Sequence, residues 1–394
     1  MPGSIKDRVA IVGMGCTRFG ELWDKGPSDL IIEAVGEACA DAGIGVKDIQ
    51  AVWTGTLQSG TGGRSVSEPL RLEYVPVTRV ENACASGHEA VRGAAYAVAL
   101  GIYDVALAIG YEKLKDEGTS GLGGMENRTN THYTSTMPGA FAIMATRYFS
   151  QYGLSAQEGK TMLAKISVKS HHNGSLNPKA HLRKKITVEQ ALSAPIIAWP
   201  LGLFDACGVS DGAAAAIITR AKSARNYRKD PVYIKALQIC TSPTSGRLLS
   251  TYDYAHVEEG FRAGKAAYAE AGITDPRKEI SMAEVHDCFS ITEAVTMEDL
   301  QFSARGRVKE DIDAGFFNLD GPLPVQPDGG LKCFGHPIGA SGIRMLYEMY
   351  LQLQGRAGPR QIKNPQFGLA HNMGHEPYAP TVSVCIVGLQ CMNN

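Results

Sequence analysis

At 394 residues, 44% of them hydrophobic and with a formal net charge of -1, the chain is too long for one ordinary core. Its balanced charge excludes nucleic acid and anionic membranes as expected partners, and neither a signal peptide nor a bilayer-spanning apolar run is expected from its sequence. The 9 cysteines, an odd number with no C-x-x-C pair, argue against a disulfide framework and a zinc site and point to a reducing cytoplasm.

Val9 to Gly13 reads as a first buried strand. The Gly13-Met-Gly15 that follows resembles a dinucleotide fingerprint, but Arg18 occupies the third glycine position and no helix starts there. Ser28 to Ala42 predicts a helix with Ile31, Ile32, Val35 and Cys39 on one face, ended by Gly43. After a short strand at Ala51–Trp53, the β-branched run Val75 to Val80 predicts a strand entering a helix. Asn82 reads as its N-cap, the helix runs to Leu100, and Gly101 stops it. Cys84 then falls in a first helical turn, where free N–H groups and the dipole favour thiolate over thiol. Its small neighbours Ala83, Ala85, Ser86 and Gly87 leave room for a carbonyl to approach the sulfur.

Val105 to Gly110 is a fully apolar strand of the buried parallel type. From Tyr111 to Pro200 the strand–helix rhythm stops. A Gly-rich stretch (Gly118 to Met125), a helix around Phe141 to Tyr152 and a basic loop from His171 to Lys185 form an excursion able to cover a site. The core resumes with the buried strand Ser210 to Ile218, and the polar Arg220 to Asp230 reads as a linker.

The second half replays the first. Glu37 to Ile44 (EACADAGI) is echoed by Ala267 to Ile273 (AYAEAGI), and each precedes a short strand. Ala85-Ser-Gly87 opening one helix is echoed by Ala340-Ser-Gly342 opening another, which runs to Leu353; the final apolar strand is Thr381 to Gly388. Matching elements in the same order predict a duplicated α/β unit with two equivalent helix N-termini meeting at one place.

Three strand–helix junctions carry reactive groups: Cys84, then His286-Asp-Cys288, then Gly335-His336-Pro. A cysteine nucleophile needs a base within hydrogen-bond reach, and His336 is the natural candidate. His286 and Cys288 are placed to supply oxyanion stabilisation and a second acid or base.

Asn82-Ala-Cys-Ala-Ser-Gly87, His286-Asp-Cys-Phe289 and Gly335-His-Pro337 resemble, in order and spacing, the three motifs of the thiolase superfamily, in the sterol-carrier-protein-type branch that carries HDCF. The resemblance covers the whole chain and implies an α/β thiolase fold, in which duplicated units form a five-layered α-β-α-β-α core with an inserted loop domain. It implies that residues 1–110 and 201–224 form the first half, 111–200 the cover and 225–394 the second half. It further implies that Cys84 takes the acyl group as a thioester, His336 activates it, His286 orients a water or donates to the substrate thioester oxygen, and Cys288 exchanges the α-carbon proton. Many thiolases take that last proton on a cysteine of a C-x-G motif; here Met373 stands in the matching stretch, which leaves the role to Cys288. Cys385 and Cys391 read as structural.

The loop that follows departs from the family: His375 to Pro380 replaces a small glycine-rich loop, and Met373, Gly374, His375, Glu376 and Tyr378 are candidates for shaping the acyl pocket. Arg183, Lys184 and Lys185 are candidates for the CoA phosphates. The resemblance implies an acyltransferase with coenzyme A as co-substrate and no bound cofactor or metal, a homodimeric core, and a small zinc-ribbon/OB-fold (DUF35) subunit as partner in a heteromeric complex. The implied substrate is a 3-oxoacyl-CoA, either bulky or aromatic, such as benzoylsuccinyl-CoA, or else acetoacetyl-CoA (acetyl-CoA acetyltransferase). A thiolase-fold retro-aldolase and a non-catalytic acyl- or lipid-binding protein are the alternatives.

Overall fold

The structure, a computed structural model, describes residues 3–117, 136–243 and 252–389. The stretch Gly118 to Met125 and Cys391 lie outside the described residues. Nine strands form one mixed sheet: β1 (Val9–Cys16), β2 (Ala51–Gly55), β3 (Val77–Val80), β4 (Val105–Glu112), β7 (Gly212–Arg220), β8 (Val232–Thr241), β9 (Met282–Glu284), β10 (Phe367–Gly374) and β11 (Thr381–Gly388). A short hairpin, β5 (Ile196–Ala198) and β6 (Leu201–Gly202), stands apart.

The sheet order is β3-β2-β4-β7-β1-β8-β11-β10-β9, and it repeats itself. In the first half β1 pairs antiparallel with β7, β7 antiparallel with β4, and β4 parallel with β2. In the second half β8 pairs antiparallel with β11, β11 antiparallel with β10, and β10 parallel with β9. Where β3 lies parallel to β2, the second half has a single parallel bridge, Ala283 to Val325. Within the sheet, the halves join where β1 meets β8, at Ala10–Tyr233 and Ile11–Val232. The expected duplication is therefore present as strand topology. Direction is a separate matter: β4, expected to be of parallel type, is parallel to β2 but antiparallel to β7, because an all-apolar run reports burial on both faces and not its neighbours' direction.

Seven helices of ten residues or more occur among the described residues: α1 (Pro27–Ala42), α2 (Ser86–Ala99), α3 (Met137–Gln151), α4 (Ala156–Ser175), α5 (Glu258–Ala271), α6 (Ser290–Asp299) and α7 (Ile338–Leu353). Helix α1 packs on β1 and β7, and α5 packs on β8 and β11 in the equivalent place. Helix α1 buries Leu30, Ile31, Ala34, Val35 and Ala38, but Ile32, expected on that face, is 49% exposed. Helices α2 and α7 are the central pair. A Cβ on Gly110 of β4 would overlap the carbonyl oxygen of Gly339, and one on Gly87 would lie 2.7 Å from it. Only glycine lets the backbones of β4, α2 and α7 touch this closely. The first turns of α2 and α7 are thereby held together at one place.

The excursion is more helical than expected. A capping box between Ser155 and Glu158 starts α4, which continues for 20 residues to Ser175. His171 to Ser175, expected in a loop, is its last turn, and His171 is buried. The helix runs past Asn173 to Ser175, and Pro178 follows three residues later. No helix among the described residues is long and apolar enough to cross a membrane.

The central contact makes a direct test. Gly110→Ala should destabilise the protein by about 3 kcal/mol or more, since its Cβ would strike the Gly339 backbone, which cannot rotate away. Gly36→Ala, in α1 with open space around it, should be neutral or stabilising by roughly 0.5–1 kcal/mol. Calorimetric melting of both variants against the parent checks the pair.

Candidate active site

Cys84 lies in a turn between β3 and α2, two residues before the helix begins at Ser86. Asn82 is not its cap: the Asn82 amide donates to Glu89 Oε1 at 2.7 Å, and Glu89 is itself held by Arg92 at 2.8 and 3.0 Å. Ala83 adopts a left-handed backbone at φ +46°, a conformation that costs a non-glycine residue about 1–3 kcal/mol. Ser86 over-determines the turn, its hydroxyl accepting from Asn82 N–H at 2.9 Å and donating to the Ala83 carbonyl at 2.6 Å. Gly374, at the end of β10, closes it from the other side; a Cβ there would overlap the Asn82 carbonyl and stand 3.1 Å from Cys84 N. The strain therefore presents one residue, Cys84, at a fixed point.

The second loop follows β9. Gln326 brackets Val285 by accepting its N–H at 3.2 Å and donating to its carbonyl at 2.6 Å. The Asp287 carboxylate accepts from the N–H groups of Leu331 and Lys332 at 2.7 and 3.1 Å, so the flanks of His286 and Cys288 are fixed. The third loop is tied by His336 N–H, which donates to the Gly208 carbonyl at 3.0 Å. The segment around Gly208 also reaches the second loop, with Cys207 N–H donating to the Cys288 carbonyl at 2.9 Å.

The three loops bring the donor atoms of Cys84, His286 and His336 within 4.8 Å of one another, all buried. The two imidazole rings meet edge to face with centroids 5.1 Å apart. His336 Nδ1 lies 2.7 Å from Ser341 Oγ, and that hydroxyl donates to the Pro337 carbonyl at 3.1 Å. Because the serine proton is committed, Ser341 accepts from His336 Nδ1–H, which leaves a lone pair on His336 Nε2. That Nε2 and the Nδ1 of His286 are buried without a protein hydrogen-bond partner. One thiol and two imidazoles could hold a metal ion as well as perform covalent chemistry.

Burial decides the charge state. It pushes the Cys84 thiol well above its ordinary range, with nearby Cys207 adding to the effect. The expectation of a helix-stabilised thiolate is therefore corrected: Cys84 precedes the helix, and desolvation outweighs the dipole. Burial also holds His336 well below the usual histidine range, helped by His286 and the Arg344 cation. His286 is lowered to about 4 by burial, partly offset by its hydrogen bond with the Asn372 side chain. Cys288 is raised by burial and by its neighbours Cys207 and Cys84, and its sulfur lies 3.7 Å from Thr292 Oγ1. Burial thus favours two thiols and two neutral imidazoles in the resting site.

Other expected residues are placed differently. Asn372, and not Met373, borders His286; its amide also donates to Met345 Sδ of α7 at 2.9 Å. Strand alternation turns Met373 to the face shared with His371, so the sequence register for that position was off by one. Gly374 is buried against the Cys84 turn, whereas His375 is half-buried with φ +68°. The Tyr378 ring lies 6.4 Å from Tyr254, which lies 4.6 Å from Tyr252. Arg183, Lys184 and Lys185 are exposed, and the Lys184 carbonyl lies 2.8 Å from His171 Nδ1. Cys385 is fully buried in β11. Sequence reading missed Cys207 and Ser341. The signal for each was present: Cys207 precedes the Ser210-Asp-Gly turn into β7, and Ser341 lies one turn beyond His336 in α7.

Comparison with known proteins gives a consistent outcome. Residues 9–222 match the thiolase N-terminal domain, and residues 243–386 match the family described as thiolase C-terminal domain-like. An acetyl-CoA acetyltransferase of Methanothermobacter thermautotrophicus is 37% identical over 93% of this chain and 96% of its own length. Human sterol carrier protein 2 is 29% identical over 93% of this chain and 70% of its own. Among solved structures, an Ltp2-ChsH2(DUF35) aldolase superposes with a TM-score of 0.83 at 25% identity, covering 99% of both chains.

The charge state predicts how Cys84 reacts in the free protein. A raised thiol pKa means that thiolate forms only at high pH, so iodoacetamide alkylation of Cys84 should rise about tenfold per pH unit through pH 9 without a plateau. A plateau beginning near neutral pH would instead reveal a preformed thiolate–imidazolium pair. Peptide mapping by mass spectrometry at each pH reads the Cys84 rate separately from the other cysteines.

Proposed function

The chain belongs to the thiolase family of acyltransferases, and on that footing we propose that it cleaves or forms a 3-oxoacyl-CoA through a thioester on Cys84. The observation that carries this reading is the unpartnered Nε2 of a neutral His336 in the same buried cluster as the Cys84 thiol. In the cleavage direction, His336 Nε2 takes the Cys84 proton as the sulfur attacks the 3-carbonyl. The C2–C3 bond then breaks, leaving the acyl group on Cys84 and an enolate of the departing acyl-CoA. Cys288, held protonated by burial, gives its proton to the α-carbon, while His286 hydrogen-bonds the thioester oxygen where negative charge develops. Coenzyme A then attacks the Cys84 thioester, returning its proton to Cys288, and His336 returns its own to Cys84. Condensation is the same sequence in reverse. All groups supplied by the chain are side chains, with CoA as co-substrate.

The acyl group is read from relatives and from the pocket. The archaeal acetyl-CoA acetyltransferases at 37% identity support acetoacetyl-CoA. The aromatic cluster Tyr252, Tyr254 and Tyr378, beside the loop after Gly374, supports a bulkier acyl group of the benzoylsuccinyl-CoA kind as the second reading. Arg183, Lys184 and Lys185, exposed on the cover, are the proposed contacts for the CoA phosphates. A homodimer is supported by the open edge at β3, whose Thr78 and Arg79 are exposed beside the exposed Tyr74 and Leu100. A DUF35 subunit as partner is supported by the likeness to the Ltp2-ChsH2(DUF35) aldolase. A retro-aldol reaction like that neighbour's would need no thioester on the protein, which is the point of difference to test.

Intact-mass spectrometry after mixing with acetoacetyl-CoA and a panel of longer and aromatic 3-oxoacyl-CoAs should give an adduct that names the acyl group. Cys84→Ser should give none and lose at least about a thousandfold in kcat. Cys288→Ser should still acylate yet lose exchange of the acetyl-CoA methyl protons with deuterium oxide. Ser341→Ala should lower the acylation rate roughly tenfold with little change in KM, as expected of a residue that positions His336. Absence of any adduct, with or without a DUF35 subunit, would move the reading to the retro-aldolase.

A further inference from the structure

Cys84, His286 and His336 are more than an acid–base set. We propose that these three side chains form a reversible binding site for one borderline-soft divalent cation of the zinc class, and that its occupancy blocks the nucleophile. The set comprises one sulfur and two imidazole nitrogens, the donors such ions prefer, with its ligand atoms mutually within 4.8 Å. A tetrahedral zinc ion with these ligands sets neighbouring donors roughly 3.3–3.7 Å apart, so closing the site takes side-chain movements of about 1 Å.

Two independent features point to a ligand there. His336 Nε2 and His286 Nδ1 are buried nitrogens with no protein partner, an arrangement that costs about 1–3 kcal/mol per group unless something enters. His336 also carries the support that metal-bound histidines use: its far nitrogen donates to Ser341 Oγ at 2.7 Å, which fixes the ring and directs the Nε2 lone pair inward.

The binding step releases one proton: the Cys84 thiol becomes a metal-bound thiolate, the proton leaves to solvent, and no electron is transferred. Three protein ligands leave a fourth position for water or for the thiol of an entering coenzyme. Cys288 is not within the trio and remains a free thiol. While the ion is bound, the Cys84 sulfur lone pair is engaged and His336 Nε2 cannot accept a proton, so acyl transfer stops. A chelator restores it.

The test uses the full chain, freed of metal by chelation, and needs no acyl-CoA, so its outcome is separate from that of the acyl-enzyme experiment. One equivalent of Co2+ should produce the visible bands of a tetrahedral site together with a thiolate-to-cobalt charge-transfer band, both displaced by Zn2+. In Cys84→Ser the charge-transfer band should vanish, and His336→Gln should weaken Co2+ binding by at least about tenfold. On the parent protein, stoichiometric Zn2+ should slow iodoacetamide alkylation of Cys84 at least about tenfold, with EDTA reversing it. Persistence of the charge-transfer band in Cys84→Ser, or an alkylation rate at Cys84 unchanged by Zn2+, overturns the proposal. Because the alkylation measurement needs no variant, it decides the matter even where a substitution prevents folding.

Discussion

The candidate site depends on a backbone-to-backbone contact in the middle of the protein. Gly110 of β4, Gly87 of α2 and Gly339 of α7 meet so closely that a single methyl group at any of them would strike the main chain or press hard against it. Main chain cannot yield as a side-chain terminus can, so this contact admits one geometry. Cys84 lies three residues before Gly87, and His336 three residues before Gly339. The packing that joins the two halves therefore also sets the distance between the thiol and the imidazole.

That placement has an electrostatic consequence. Groups at the junction of two helices and a sheet are dry, and dryness works against charge. The thiols of Cys84 and Cys288 rise, the imidazoles of His286 and His336 fall, and the resting site is neutral. Other buried histidines behave alike: His88, bonded to Ser383 at 2.8 Å, is lowered to about 4, and His371, whose Nδ1 accepts from His286 N–H at 3.3 Å, to about 3. Behind His336, Arg344 is held by Glu284 at 2.9 Å and by Asp328, a compensated buried cation that disfavours a second positive charge nearby. Catalysis in such a site rests on charge that appears only as bonds change, where fixed dipoles act with little screening. The same dry, uncharged donors are also what a soft cation would find complementary.

The internal duplication explains why chemistry collects at this point. Each half ends a strand in a loop and starts a helix there, and the two central helices begin at one place. Cys84 belongs to the first half; His286, Cys288 and His336 belong to the second. The first half contributes again, since the segment around Cys207 and Gly208 ties the second and third loops through two main-chain hydrogen bonds. A site assembled from both halves is complete only when the halves are packed.

Much of this was legible in the residues. The strand and helix order, the repeat, the three reactive junctions and the convergence of two helix starts follow from local pattern, because burial periodicity and glycine placement are written along the chain. The rest required distance in space. The antiparallel pairing of β4 with β7 was hidden because an apolar run looks the same in either direction, and α4 was hidden because a basic face does not distinguish a solvated helix from a loop. The exchange of Met373 for Asn372 beside His286 turned on a one-residue register that only strand pairing fixes. Cys207, 123 positions along the chain from Cys84, declared itself only through the fold. The protonation of Cys84 was the largest change, since a sequence shows that a cysteine precedes a helix but not how completely water is excluded from it. Residue type and order determined which groups exist and which loops carry them; tertiary packing alone decided their separation and their charge, because both depend on what lies around a side chain and not on what lies beside it in the chain.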